Sequence, residues 1–167
     1  MPDLTTGRLN LKRRNEMIKK IMVATDGSEL AEKAAAYAID MAKQLQGELL
    51  ALFVMDDSRD PVLSSGLEIP FRDLQKAFNE KLSEIGEEAI ARVREMGKEK
   101  GVKVSGKLIG SSSAVQGIIE AAKEEKVDLI VVGSHGRTHF LDVPVGNVTR
   151  KLVSARKPCP VMVVPVS

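Results

Sequence analysis

Short apolar runs alternate with amphipathic helical patterns along the chain, and this alternation limits the fold more than any other feature. Residues 49–54 are continuously apolar, which is typical of a strand buried on both faces of a sheet. In residues 74–96, apolar side chains return at spacings of three and four, as on one face of a helix. The repeated strand–helix order, closed by a last strand, predicts a single α/β domain with three layers, a five-stranded parallel sheet between helices.

Two loops at the ends of predicted strands carry ligand-binding chemistry. Residues 25–28 (Thr-Asp-Gly-Ser) follow the first strand, and residues 133–136 (Gly-Ser-His-Gly) follow the fourth; nine residues later, Gly146 and Asn147 precede the last helix. Glycine lets the backbone come close to a ligand, and a helix start offers unpaired N–H groups to an anion. If the first and fourth strands are neighbours, both loops face one crevice, which would bind a phosphate-bearing ligand.

These loops and the closing segment match a known family. The matching elements are residues 21–28 (IMVATDGS), 128–136 (DLIVVGSHG) and 158–161 (PCPV). From about residue 18 to 166, the chain resembles a universal stress protein domain of the ATP-binding type. Members of that type carry glycine, two residues, glycine, nine residues, and then glycine with serine or threonine. Here the three glycines are in register, and Asn147 takes the hydroxyl position.

The resemblance implies strand order 3-2-1-4-5, in a Rossmann-like fold of the adenine nucleotide alpha hydrolase type. It also implies a homodimer through the last strand, and ATP or another adenine nucleotide between the ends of strands one and four. Mg²⁺ or Mn²⁺ are the cations that could accompany ATP. By position, the residues implied to hold the nucleotide are Ala24, Thr25, Asp26, Val54, Val132, Gly133, His135, Gly136, Gly146, Asn147 and Val148.

Two of these residues have a structural alternative. Asp26 could accept hydrogen bonds from the adenine amino group or the ribose, or it could cap the first helix with Glu29 completing a capping box. If Ser28 caps that helix instead, Asp26 is left to the ligand. The Asn147 amide could donate to a phosphate oxygen, and asparagine is also a good N-cap residue.

The sequence favours nucleotide binding over turnover. His135 lies between two glycines, but no nucleophile or orienting partner can be identified for it, so we expect a backbone or packing role. Arg137 is suited to a phosphate, or is a solvated loop residue. The P-loop and Gly-x-Ser-x-Gly patterns are absent from the sequence. We therefore expect a stress-response protein with little or no hydrolysis; the alternatives are a nucleotide-free dimeric scaffold and a slow adenine-nucleotide hydrolase.

Charge separates a basic N-terminal segment from the rest of the chain. Residues 1–20 carry six basic and two acidic side chains, and the remainder carries 19 basic and 21 acidic. We expect residues 1–17 to be a disordered extension, with contact to nucleic acid or an anionic surface as the alternative, and residues 18–167 to be the domain. With no signal-peptide pattern, no apolar run of about 20 residues and one cysteine, we expect a cytoplasmic protein that is not in a membrane.

Overall fold

The computed structural model describes residues 18–56, 71–136 and 145–165, which form five strands and four helices. In chain order these are β1 Lys20–Ala24, α1 Glu29–Gln44, β2 Glu48–Asp56, α2 Phe71–Glu99, β3 Val104–Ser111, α3 Ala114–Glu124, β4 Leu129–Gly133, α4 Asn147–Ser154 and β5 Val161–Val164. The predicted extension 1–17 lies outside the described residues.

The five strands form one parallel sheet in the order β3-β2-β1-β4-β5, so the predicted fold and strand order are confirmed. β1 is central, and its Val23 pairs with Ala51 of β2 and with Val131 of β4. The chain first adds strands on one side of β1 and then on the other. The strand order therefore reverses between β1 and β4, which is where ligands bind in sheets of this kind.

Each face of the sheet has its own core, because successive side chains of a strand point to opposite faces. In β1, Ile21 and Val23 pack under α1 and α2, whereas Met22 packs under α3 and α4; all three are completely buried. Small side chains let α1 lie close to the sheet. Its buried alanines are Ala31, Ala34, Ala35, Ala38 and Ala42.

The apolar stripe of α2 has two parts with different surroundings. Toward the end of the helix, Ala89, Ile90 and Val93 are buried in the core. Toward its start, Phe78 borders a cavity and Leu74 is 48% exposed. The predicted helix 74–96 is thus confirmed, but only part of its stripe packs fully against the sheet.

β3 covers Val104–Ser111. The sequence pattern predicts this strand at residues 102–109, which is two residues too early. Val102 instead closes the turn that follows α2, since its N–H donates to the Gly97 carbonyl at 2.8 Å. At the other end, Ser111 pairs with Asp56 of β2. The strand therefore continues past Gly110, where the sequence pattern predicts that the next helix opens. Within the described ranges, none of the helices has the length and apolar character needed to cross a membrane.

Candidate functional site

A cavity of about 380 Å³ lies at the carboxyl ends of β1, β2 and β4. Every predicted site residue that the structure describes lines it; Arg137 lies outside the described residues. These lining residues are Ala24, Thr25, Asp26, Val54, Val132, Gly133, His135, Gly136, Gly146, Asn147 and Val148. Positions that are more than 100 residues apart in sequence meet here because β1 pairs directly with β4.

The loop after β1 is held in place by hydrogen bonds to β2 and within the loop. The Thr25 N–H donates to the Leu52 carbonyl at 2.9 Å, and its hydroxyl accepts from the Gly27 N–H at 3.2 Å. Gly27 has a φ of +78°, in the left-handed region that favours glycine. The Asp26 Oδ1 accepts from the Ser28 N–H at 3.0 Å. This tight turn fixes the Asp26 carboxylate at the wall of the cavity.

Ser28, rather than Asp26, caps α1. The Ser28 Oγ accepts from the Ala31 N–H at 3.1 Å, and Glu29 and Glu32 place two acids in the first turn. The alternative in which Ser28 caps the helix is therefore the observed one. The start of α1 is thus capped by Ser28, and the Asp26 Oδ1 accepts from the N–H of this cap residue.

Gly136 lets the two loops approach each other. A Cβ at this position would collide with the Asp26 Oδ2. The sequence motif suggested that glycine makes room for a ligand, but the contact seen here is between the loop after β4 and the carboxylate after β1. Any larger residue at Gly136 would require the Asp26 carboxylate to move from its place in the wall of the cavity.

Three hydrogen bonds fix the start of α4 against β4 and β5. The Thr149 hydroxyl donates to the Gly133 carbonyl at 2.8 Å, and the Gly146 N–H donates to the Ser134 carbonyl at 2.7 Å. The Ser134 N–H in turn donates to the Val164 carbonyl at 2.8 Å. Thr149 and Ser134 are both buried. The first turn of α4 is thus positioned by buried contacts before any ligand binds.

The start of α4 lacks the side-chain cap that α1 has. Its N-cap residue is Gly146, so the alternative in which Asn147 is the N-cap is wrong. No side chain of the described residues forms a capping hydrogen bond here, and the first turn contains no acid. Asn147 is the first helical residue, and its Oδ1 accepts from the Arg150 guanidinium at 3.2 Å.

Sequence reasoning missed part of the cavity wall. The additional lining residues are Ala31, Leu52, Asp56, Phe78, Lys81, Leu82, Ile85, Ala114, Ile118 and Thr149. Four of them belong to α2, where the apolar stripe continues from the core to the cavity. That stripe was visible in the sequence, but it was interpreted only as packing against the sheet.

Charged side chains at the cavity have defined partners. The Asp56 Oδ2 accepts from the Ala114 N–H at 3.3 Å, so this carboxylate caps α3 from the end of β2. A hydrogen bond from Lys81 to Glu84 at 3.0 Å, together with the negative charge of Glu84, raises the pKa of Lys81. Lys81 is therefore cationic at neutral pH. His135 hydrogen-bonds the Ser134 hydroxyl through Nδ1 at 3.1 Å.

Comparison with known proteins identifies the same family by two routes. The family model described as the universal stress protein family matches residues 17–165. Universal stress protein MJ0531 of Methanocaldococcus jannaschii is 32% identical over 154 residues, which cover 92% of this chain and 86% of that protein.

Solved structures show the same fold. The protein MJ0577 of Methanocaldococcus jannaschii has a TM-score of 0.72 and 26% identity, with 90% of this chain and 98% of that one covered. A universal stress protein solved in complex with cAMP has a TM-score of 0.62 and 19% identity, with 90% and 99% covered. Similarity therefore extends over nearly the whole chain.

Proposed function

The chain belongs to the universal stress protein family, and we propose that it binds an adenine nucleotide, with ATP as the expected ligand, in the cavity at the end of β1 and β4. The observation that carries this proposal is the start of α4. It lines the cavity, it is held in place by buried contacts, and no acid lies in its first turn. Such a helix start is suited to a phosphate group.

The other helix starts near the cavity support this choice of phosphate site. α1 is capped by Ser28, and α3 receives the Asp56 carboxylate at its first N–H group. At both helix starts an N–H group already has an acceptor in the protein, a serine hydroxyl at α1 and a carboxylate at α3. Among the described residues, α4 has no equivalent acceptor side chain, so a phosphate of the ligand would take that place.

The rest of the cavity is suited to a base and a ribose. Its apolar walls include Val54 and Ile118 on one side and Phe78 and Leu82 on the other. A volume of about 380 Å³ lies within the usual range for small-molecule sites. The Asp26 carboxylate could accept hydrogen bonds from an adenine amino group or ribose hydroxyls. The structure with cAMP, from a protein of the same fold, is consistent with an adenine nucleotide.

We further propose that the protein acts by binding, with slow or no hydrolysis, as a cytoplasmic homodimer in the stress response. β5 lies at the edge of the sheet, and its residues Val161, Met162 and Val163 are only partly buried. An apolar edge strand of this kind pairs with another strand unless it is protected. Sedimentation of Val163→Lys should show monomers or insoluble protein; an unchanged soluble dimer would place the interface elsewhere.

The decisive experiment introduces an acidic side chain at the start of α4. Asn147→Asp changes the side chain little in size but places a carboxylate where the phosphate should bind. Repulsion and the lost donor should weaken ATP binding at least about tenfold, because a hydrogen bond to a charged group contributes roughly 1.5–3 kcal/mol. The measurement is calorimetric titration, after mass spectrometry has shown which nucleotide the purified protein retains.

Lys151→Gln is the matched control, because it makes the same change in net charge on an exposed position of the same helix. Its ATP affinity should stay within about twofold of the unaltered protein. If Asn147→Asp binds ATP as tightly as this control, the phosphate does not lie at α4. If the purified protein retains no nucleotide and binds none that is added, the result would favour the scaffold alternative. Steady metal-dependent ATP turnover would favour the hydrolase.

A further inference from the structure

The first half of α2 extends beyond the end of the sheet. A Cβ at Gly86 would collide with the side chains of Phe53 and Leu108, so the helix lies against β2 and β3 at this level. β2 continues only three residues past Phe53, to Asp56, which is about 10 Å. The helix begins fifteen residues before Gly86, at Phe71, or about 22 Å away. Because α2 runs back along the strands, roughly its first 12 Å have no strand beside them.

The apolar stripe of α2 continues into this projecting part. Phe78 precedes Gly86 by eight residues, or about 12 Å of helix, so it lies near the level at which β2 ends. Its side chain is partly buried and lines the cavity. Leu74, one turn earlier, is 48% exposed and does not line the cavity. At the level of Phe78 the stripe therefore borders the cavity instead of a strand.

The end of the cavity beside α2 is apolar on both sides. Leu82 and Ile85 belong to the same face of the sheet as α2, whereas Val54 and Ile118 belong to the core on the other face. Among the described residues that line the cavity, Phe78 is the one phenylalanine, tyrosine or tryptophan. Every nucleotide base has a flat π-face, and stacking of that face on an aromatic side chain is favourable.

α2 adds an element to the site that the glycine motif does not contain. The residues implied by the family resemblance lie in the loops after β1 and β4, near the end of β2, and at the start of α4; none of them lies in α2. The start of α4 is suited to phosphate, which is polar and charged. The aromatic ring of Phe78 is suited to the opposite, flat and apolar part of a nucleotide.

We propose that Phe78 stacks on the base of the bound nucleotide, and that the projecting part of α2 selects ligands that carry a base. This inference rests on the proposed function and adds a specificity-determining residue to it. Because the contact is made to the base, its contribution should be the same for ATP and AMP. It does not discriminate adenine from other bases, since all of them have a π-face.

The first test is calorimetric titration of ATP and AMP into variants of the full chain. Phe78→Ala should weaken the binding of both nucleotides by about tenfold, the effect of losing one contact between a base and an aromatic ring. Phe78→Tyr keeps the ring and should stay within about twofold of the unaltered protein. Leu74→Ala is the matched control, because it removes an apolar side chain of the same stripe that does not line the cavity. It should change either affinity by less than about twofold, and far-UV circular dichroism would verify that each variant is folded.

The second test uses fluorescence, because the chain contains no tryptophan. Phe78→Trp introduces a single indole at the cavity wall, and a base stacked on that ring should quench its emission. ATP should therefore lower the emission with a midpoint equal to the dissociation constant from calorimetry. Inorganic triphosphate, which has no base, should leave the emission unchanged. In the control variant Leu74→Trp, saturating ATP should change the emission little.

The outcomes separate this inference from the proposed function. Equal ATP affinities for Phe78→Ala and Leu74→Ala would overturn the inference and leave the proposed function standing, as would bound ATP that does not change the emission of Phe78→Trp. A loss in Phe78→Ala that is seen for ATP and not for AMP would overturn it too, because the contact would then depend on the distal phosphates. If the unaltered protein binds neither nucleotide, the inference and the proposed function are overturned together.

Discussion

Two helix starts, those of α1 and α4, lie at the same edge of the sheet and border the same cavity, yet they are completed in opposite ways. α1 has Ser28 as a side-chain cap and two acids in its first turn. α4 has Gly146 as its N-cap residue and no acid, and its first turn carries Arg150. The positive end of α1 is neutralised by its own segment, whereas no side chain of the described ranges caps the positive end of α4.

This difference separates a contribution to stability from a contribution to binding. A side-chain cap stabilises the folded protein even without a ligand, because N–H groups at the helix start already have partners. A helix start without such partners is less stable by itself, but it provides an anion site that is already oriented. The buried bonds of Thr149 and Ser134 hold α4 in place without filling that site.

The largest expected effect comes from disturbing the contact between the two loops that precede these helices. Gly136→Ala introduces a Cβ that collides with the Asp26 Oδ2, so the carboxylate must move from its place in the wall of the cavity. ATP affinity should fall about a hundredfold, or roughly 2.7 kcal/mol. Calorimetric titration of ATP would measure this loss.

Gly110→Ala is the control for Gly136→Ala, because a Cβ at Gly110 meets no atom within 4 Å. Its ATP affinity should equal that of the unaltered protein. A folded Gly136→Ala variant with unchanged affinity would show that the contact between the two loops does not shape the binding site.

Removing the cap of α1 tests whether this helix start contributes to stability and not to ATP binding. Ser28→Ala should lower the free energy of unfolding by about 1 kcal/mol, while ATP affinity changes less than about twofold. Ser113→Ala is a matched control, since Ser113 is the N-cap residue of α3 but makes no side-chain cap hydrogen bond. Urea unfolding of both variants would measure the difference, and equal losses would contradict the role assigned to Ser28.

Adding an acid to α4 should make it resemble α1. Asn147→Asp places a carboxylate in the first turn, where it interacts favourably with the helix dipole by about 0.3–1 kcal/mol. The variant that weakens ATP binding should therefore raise the midpoint of thermal unfolding in nucleotide-free protein. A lowered midpoint would mean that the α4 start is already neutralised in the unliganded protein.

The smallest effect concerns the opposite edge of the sheet, where charges also satisfy one another within the protein. Hydrogen bonds from Lys20 at 2.8 Å and Lys107 at 2.9 Å lower the pKa of Glu125 from 4.5 to about 2. Because the folded pKa is lowered, the stabilisation is complete above pH 4.5 and is lost as the pH falls toward 2.

Glu125→Gln should remove this part of the acid dependence. The change in the free energy of unfolding near neutral pH should be below about 1 kcal/mol, since the pair is partly solvated. Urea unfolding at several pH values between about 2 and 7 would compare the two proteins. Parallel pH profiles for the variant and the unaltered protein would show that the Lys20–Glu125–Lys107 cluster has no such role.

Local patterns were sufficient to predict most of the secondary structure. The apolar runs and the spacing of three and four located the strands and helices, because these signals depend on residues that are near in sequence. The end of β3 was an exception. Gly110 and the serines after it are typical of the opening of a helix, but pairing with β2 continues to Ser111, and that pairing is a long-range interaction.

The glycine spacing and the family resemblance placed eleven of the predicted residues on the wall of one cavity. From the residues alone, this convergence depended on β1 and β4 being neighbours, which their local sequences do not encode. Strand order is set by how the whole chain covers both faces of the sheet. The resemblance supplied that order, and the structure confirms it.

The sequence by itself determined most of the strands and helices and the positions of the loop glycines, because neighbours along the chain decide backbone geometry. It left the cap of α1 open between Asp26 and Ser28, and the structure decided for Ser28. Only the tertiary structure decided that Gly136 stands against Asp26 and that Asp56 caps α3. It also decided that Phe78 and Lys81 border the cavity. Each of these contacts joins residues of different helices and strands. The positions of those elements are determined by the close packing of both cores against the sheet.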